Sequence, residues 1–188
     1  MRGLRAVLGL ALALGACAVP LPAVAEDAAA NFLVRLYIDA CVTNTPAPER
    51  VRDFAASHGL KEIESREALG VFVGEGGAGS AWNVPSAVGN FALSLRGRTQ
   101  GCTVWARSAD PAAVESLFRA LLAGVARPGL SVTLLKDTTD PTPFGNRHTL
   151  AYGVSPAGES ERGLAYLMQT VERPGGGFQA WLEAAASH

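Results

Sequence analysis

The chain has 188 residues, of which 18% are charged and 48% apolar, and its formal net charge is −1. That is the composition of an ordinary globular protein. It excludes a nucleic-acid binder built on clustered basic residues, because Lys61 and Lys136 are the only lysines and no basic run occurs.

Residues 1–25 predict a signal peptide. Arg2 and Arg5 open it, Ala6 to Ala16 is an unbroken apolar run, and Pro20 and Pro22 break the helix. Ala23-Val24-Ala25 then places small residues where a signal peptidase reads, so cleavage is expected after Ala25. Leu14-Gly15-Ala16-Cys17 offers an alternative, in which Cys17 carries the lipid of a membrane-anchored lipoprotein. Removing the leader leaves 14 basic and 17 acidic side chains, a net charge of −3. The remainder, 26–188, suits a single α+β domain in the periplasm or outside the cell. After residue 25 no apolar stretch approaches the roughly 20 residues of a membrane-spanning helix.

Residues 28–43 predict a first helix, with Leu33, Leu36, Tyr37, Ala40 and Cys41 on one stripe. A second helix follows at 48–57 and stops at His58-Gly59. Leu69 to Val73 suggests a short strand, Gly74 to Ser80 a glycine-rich loop, and Trp82 to Pro85 another strand. Phe91, Leu93 and Leu95 alternate with polar or small residues up to the turn at Gly97–Gly101. Cys102, Val104 and Ala106 return, which makes a β-hairpin. Asp110-Pro111 caps a helix whose apolar stripe is Val114, Leu117, Phe118, Leu121 and Leu122. Strands are expected near 130–136, 147–154 and 163–172, and a short final helix at 178–186, with no internal repeat. The product is an antiparallel sheet of about 5–6 strands with helices packed on one face.

Cys41 and Cys102 are the two cysteines after the leader, an even count that predicts a disulfide in an oxidising compartment. The helical stripe and the strand alternation turn both sulfurs toward one core. A redox pair would need close spacing such as Cys-x-x-Cys, which is absent.

No motif assembles catalytic chemistry. Gly74-x-Gly76-x-x-Gly79 matches a dinucleotide fingerprint, but no helix is predicted after it and no acid lies about 20 residues on. His58, His148 and His188 lack ligand spacing, so no metal is expected; His148 beside Arg147 reads as an edge-strand surface residue. Glu62, Glu64 and Glu67 read as a solvated face. Strand parity places Trp105 opposite Cys102. If that face is bare, Trp105 forms an interaction patch with Arg107 and Arg96; if an element covers it, there is no such patch.

Helix-borne Cys41, Trp82, Gly89-Asn90-Phe91-Ala92-Leu93-Ser94-Leu95, Gly101-Cys102-Thr103-Val104 and Ala109-Asp110-Pro111, in that order behind a signal peptide, resemble a group of proteobacterial exported proteins and lipoproteins of unknown function. The resemblance covers most of 28–125 and implies export and the disulfide, with no functional residues to carry over. The expected function is a non-catalytic periplasmic or envelope-associated binding or interaction module, without cofactor, for a protein or small-molecule ligand. A protein inhibitor or immunity-type factor is the alternative, and a hydrolase with residues converging from distant positions comes third.

Overall fold

Asp27 starts the first helix: its Oδ1 accepts hydrogen bonds from the backbone N–H groups of Ala29 (2.8 Å) and Ala30 (3.0 Å). In this computed structural model, which describes residues 27–45, 47–74, 77–97, 100–159, 163–175 and 177–187, α1 runs Ala28–Leu36 and widens into a π-helical segment, Tyr37–Val42. The Asn44 side chain closes that segment by donating to the carbonyls of Asp39 (2.8 Å) and Ala40 (3.1 Å). The signal peptide, its cleavage point after Ala25 and the Cys17 alternative all lie outside the described residues.

Two short helices follow. α2 (Pro48–Ser57) has proline in its first turn, where the missing N–H is no loss. α3 (Arg66–Val73) is capped by Ser65 and ends at Gly74, whose φ of +86° suits glycine. α3 occupies the stretch where the sequence suggested a strand. α4 (Pro111–Val125) is capped by Asp110, which accepts from Ala113 N–H at 2.7 Å.

Among the described residues eight strands form one antiparallel sheet: β1 (Lys61–Glu62), β2 (Gly79–Val84), β3 (Phe91–Arg96), β4 (Cys102–Ala106), β5 (Leu130–Thr142), β6 (Gly145–Pro156), β7 (Gly163–Val171) and β8 (Ala180–Ser187). Their order is β1-β2-β3-β4-β8-β7-β6-β5. The α+β class stands, but the sheet has eight strands rather than five or six. The expected final helix is β8, and β5 and β6 are far longer than expected. An internal repetition also emerges, at the level of topology. Each half is a helical layer followed by a four-stranded meander, and the halves join where β4 pairs with β8.

Strand alternation sorts side chains onto two faces. On one face Leu93, Leu95, Val104, Leu182 and Met168 pack beneath Leu33, Tyr37, Val114 and Phe118 of α1 and α4, forming the main core. Within it Cys41 and Cys102 are disulfide-bonded, with Cα atoms 5.3 Å apart. Tyr37 spans the core and donates its hydroxyl to the Glu183 carbonyl at 2.9 Å. Burial pushes the Tyr37 phenol well above its ordinary range, with nearby Tyr166 and Glu183 adding to the shift.

The other face carries a smaller core of Phe72, Ala81, Ala92 and Trp105, flanked by Phe178 and Trp181. α3 covers it, so the helices do not all lie on one face as the sequence suggested. Among the described residues no helix is long and apolar enough to cross a membrane.

Candidate functional site

α1 presents two faces. Leu33, Tyr37, Ala40 and Cys41 enter the core, while Phe32, Arg35, Leu36 and Asp39 recur at helical spacing along its flank. That flank is one wall of a cleft of about 400 Å³. The end of α2 supplies the opposite wall: Phe54 stacks on the His58 ring at 4.1 Å between centroids. His58 is held in place because its Nδ1 lies 2.9 Å from the Phe54 carbonyl. Leu60, Val84 and Pro85 complete the lining.

A second cavity of about 370 Å³ adjoins the first and shares Phe32 and Arg35 with it. Ala28 and Asn31 extend the α1 wall there, and Val88, 41% exposed, projects from the β2–β3 turn. Together the two cavities form a groove along α1. Its walls are largely apolar, with Arg35, Asp39 and His58 as the charged or titratable groups. None of the ion pairs among the described residues involves Arg35. Such a groove has the size of sites that bury a small ligand or an anchoring side chain, roughly 300–1,000 Å³.

The main titratable cluster lies elsewhere, between α4 and the β5–β6 hairpin. His148 Nδ1 is 3.1 Å from Glu115 Oε2, and its Nε2 is 2.8 Å from Asp137 Oδ1. Arg119 donates to the same two carboxylates, at 2.8 Å and 3.5 Å, and to the Tyr152 hydroxyl at 3.1 Å. The hydrogen bond with His148 acts most strongly on the Asp137 carboxyl; desolvation opposes it, and the His148 charge and Arg119 reinforce it, so the group sits below its ordinary range. Both imidazole nitrogens are already engaged, so the ring has no free nitrogen with which to activate a nucleophile. The described residues contain no group of three or more His, Cys, Asp or Glu able to hold a metal ion. His148 is thus a tie between a helix and a hairpin rather than the bare edge-strand residue expected.

Of the two readings left open for Trp105, a bare face and a covered one, the structure has the covered one. Parity was read correctly, but Trp105 is only 7% exposed. Phe72 of α3 meets it edge-on at 5.7 Å, Phe178 lies at 5.3 Å, and Trp181 stacks at 5.6 Å. Its indole N–H donates to Ser94 Oγ at 2.9 Å. Arg96 is turned to Glu183, with Nη1 3.3 Å from Oε2. Arg107 lies past the end of β4 and lines a separate cavity with Asp27, Asn90 and Ser108. The three residues therefore do not form one exposed surface.

The glycine motif runs in the wrong structural order for a dinucleotide site. Gly74 ends a helix and Gly79 begins a strand, whereas the fingerprint needs a strand leading into a helix whose amino end meets the phosphates. Glu75 and Gly76 lie outside the described residues.

Sequence reasoning did not find the groove. Phe32, Phe54, Leu60 and Val88 come from separate stretches, and the one available signal was a large apolar residue, Phe32, set off the core stripe of its own helix. No protein-family model matches the chain, and no match to it was found among curated proteins or among solved structures.

Proposed function

We propose that this chain is an exported domain of the periplasm or cell envelope that binds a ligand or partner in the groove along α1, without catalysing a reaction. One observation carries the reading: the groove and the titratable cluster are separate. The cavities around α1 and the β2–β3 turn include none of Glu115, Arg119, Asp137, His148 and Tyr152. The groove's own titratable groups are Arg35, Asp39 and His58, and no hydrogen bond or ion pair among the described residues links them to one another as a catalytic set would need. Recognition requires only the space and a few polar groups at its mouth.

Export rests on the leader sequence, and the Cys41–Cys102 bond suits an oxidising compartment. The intact mass of the envelope product tests this: a chain beginning at Glu26 supports cleavage after Ala25, and a lipidated Cys17 supports the anchored alternative. Binding is tested by native mass spectrometry and cross-linking of the protein taken from its own envelope. The expected result is one bound species that disappears in Phe54→Arg, which fills the groove, and persists in Arg127→Glu, a distant surface change. Identical spectra for all three proteins, or none with a bound species, would refute the reading.

A further inference from the structure

The groove along α1 is apolar at one end and cationic at the other. Phe32, Leu36, Phe54, Leu60 and Val84 line the larger cavity, of about 400 Å³. Arg35 and Asn31 stand beside Phe32 in the adjoining cavity of about 370 Å³. A third cavity shares Val88 with the second and carries Arg107, Asn90 and Ser108. Arg35 and Arg107 are exposed, and among the described residues neither side chain has a hydrogen bond or an ion pair. Asp39, four residues after Arg35, is at the spacing of a helical ion pair, yet the two are not paired. Asp39 lines only the larger cavity, and Asp27, the acid of the third, spends its carboxylate on three backbone N–H groups.

The occupant follows from what the walls lack. α1 and α2 hold their backbone groups within their own helices, the Leu60 N–H donates to the Ala55 carbonyl, Val84 pairs with Phe91, and Pro85 has no N–H. An extended peptide brings an N–H and a C=O with every residue and finds few partners here, a cost for each group buried. A partner's helix satisfies its own backbone but is too thick: at about 10 Å across it fills about 400 Å³ per turn, so the two cavities along α1 hold fewer than two turns. An alkyl chain needs neither partners nor width, and one anionic end matches the unpaired Arg35.

We infer that the groove takes a single alkyl chain ending in one anionic group, with the tail between α1 and α2 and the head at Arg35, on the side of Arg107. The inference rests on the reading of this groove as the binding site and names its ligand class.

The test titrates alkyl probes into the oxidised, folded protein by calorimetry, after a lipid-removing resin has stripped any bound species. Saturable 1:1 binding is expected from octanoate to dodecanoate, tightening about fourfold per methylene until the tail fills the larger cavity and levelling thereafter. Dodecanoate is expected to bind about fivefold more tightly than dodecan-1-ol, and dodecylamine more weakly than either. Arg35→Gln, at an exposed position, is expected to remove most of the preference for the carboxylate while leaving dodecan-1-ol binding and the circular dichroism unchanged. Phe54→Arg is expected to lose the dependence on chain length. Equal affinity for the three head groups overturns the inference, as does the absence of binding by any probe. The site itself is judged separately: an envelope species that Phe54→Arg displaces, in a protein that ignores dodecanoate, keeps the groove and refutes the alkyl ligand. A peptide or protein as that species refutes it equally.

Discussion

One carboxylate ties two helices together at Asp27. Its Oδ1 caps α1, and its Oδ2 accepts from the backbone N–H of Asp110 at 2.6 Å, beside the cap of α4. Burial pushes this carboxyl up, but donors from Ala30, Asp110 and Ala29 outweigh it, and the group sits below its ordinary range. A folded value below the unfolded value of about 3.9 stabilises fully at higher pH, and that stabilisation is lost as pH falls through the folded value. Asp27→Ala is therefore expected to cost about 1 kcal/mol at neutral pH in urea unfolding. The gap from the parent protein should narrow once the pH drops below about 4. At this scale the sequence was most legible where one residue has one job: Asp110-Pro111 was recognised as a helix start, and the inward turn of Cys41 and Cys102 followed from local periodicity. It was least legible at Trp105, because parity names a face but not what lies over it.

At the scale of elements, the two misread segments failed for opposite reasons. The Leu69–Val73 run reads as a strand because it is short and apolar, yet Ser65 before it and Gly74 after it are the start and stop signals of a helix. The 178–186 stretch, rich in Ala, Leu and Glu, has the local preference of a helix. It becomes β8 because its alternate residues Ala180, Leu182 and Ala184, all fully buried, fill the gap between β4 and β7. Tertiary pairing overrides local preference here. α3 shields the second core, so Phe72→Ala is expected to destabilise by about 3 kcal/mol and to red-shift tryptophan emission as water reaches Trp105. The clasp between α4 and the β5–β6 hairpin gives a separate check. In His148→Ala, the Asp137 carboxyl, followed by NMR titration, is expected to move up toward its ordinary range, because its main stabilising hydrogen bond is gone.

The whole molecule is two helix-plus-meander halves, and its covalent staple lies entirely in the first: Cys41 and Cys102 join the end of the first helical layer to β4. In the chain-entropy model, closing a loop with a sequence separation of 61 stabilises by up to about 4 kcal/mol. Cys41→Ser with Cys102→Ser is expected to lose up to that amount in denaturant unfolding, and reduction of the parent protein should reproduce the loss. The halves were invisible in the sequence because the repetition is one of topology, and α3, inserted between β1 and β2, hides it. Their seam has a temporal consequence. β4 is made early, but the strand that belongs beside it, β8, follows the whole second meander in chain order. Until β8 emerges, β4 keeps an unsatisfied flank and the two meanders have no shared ladder.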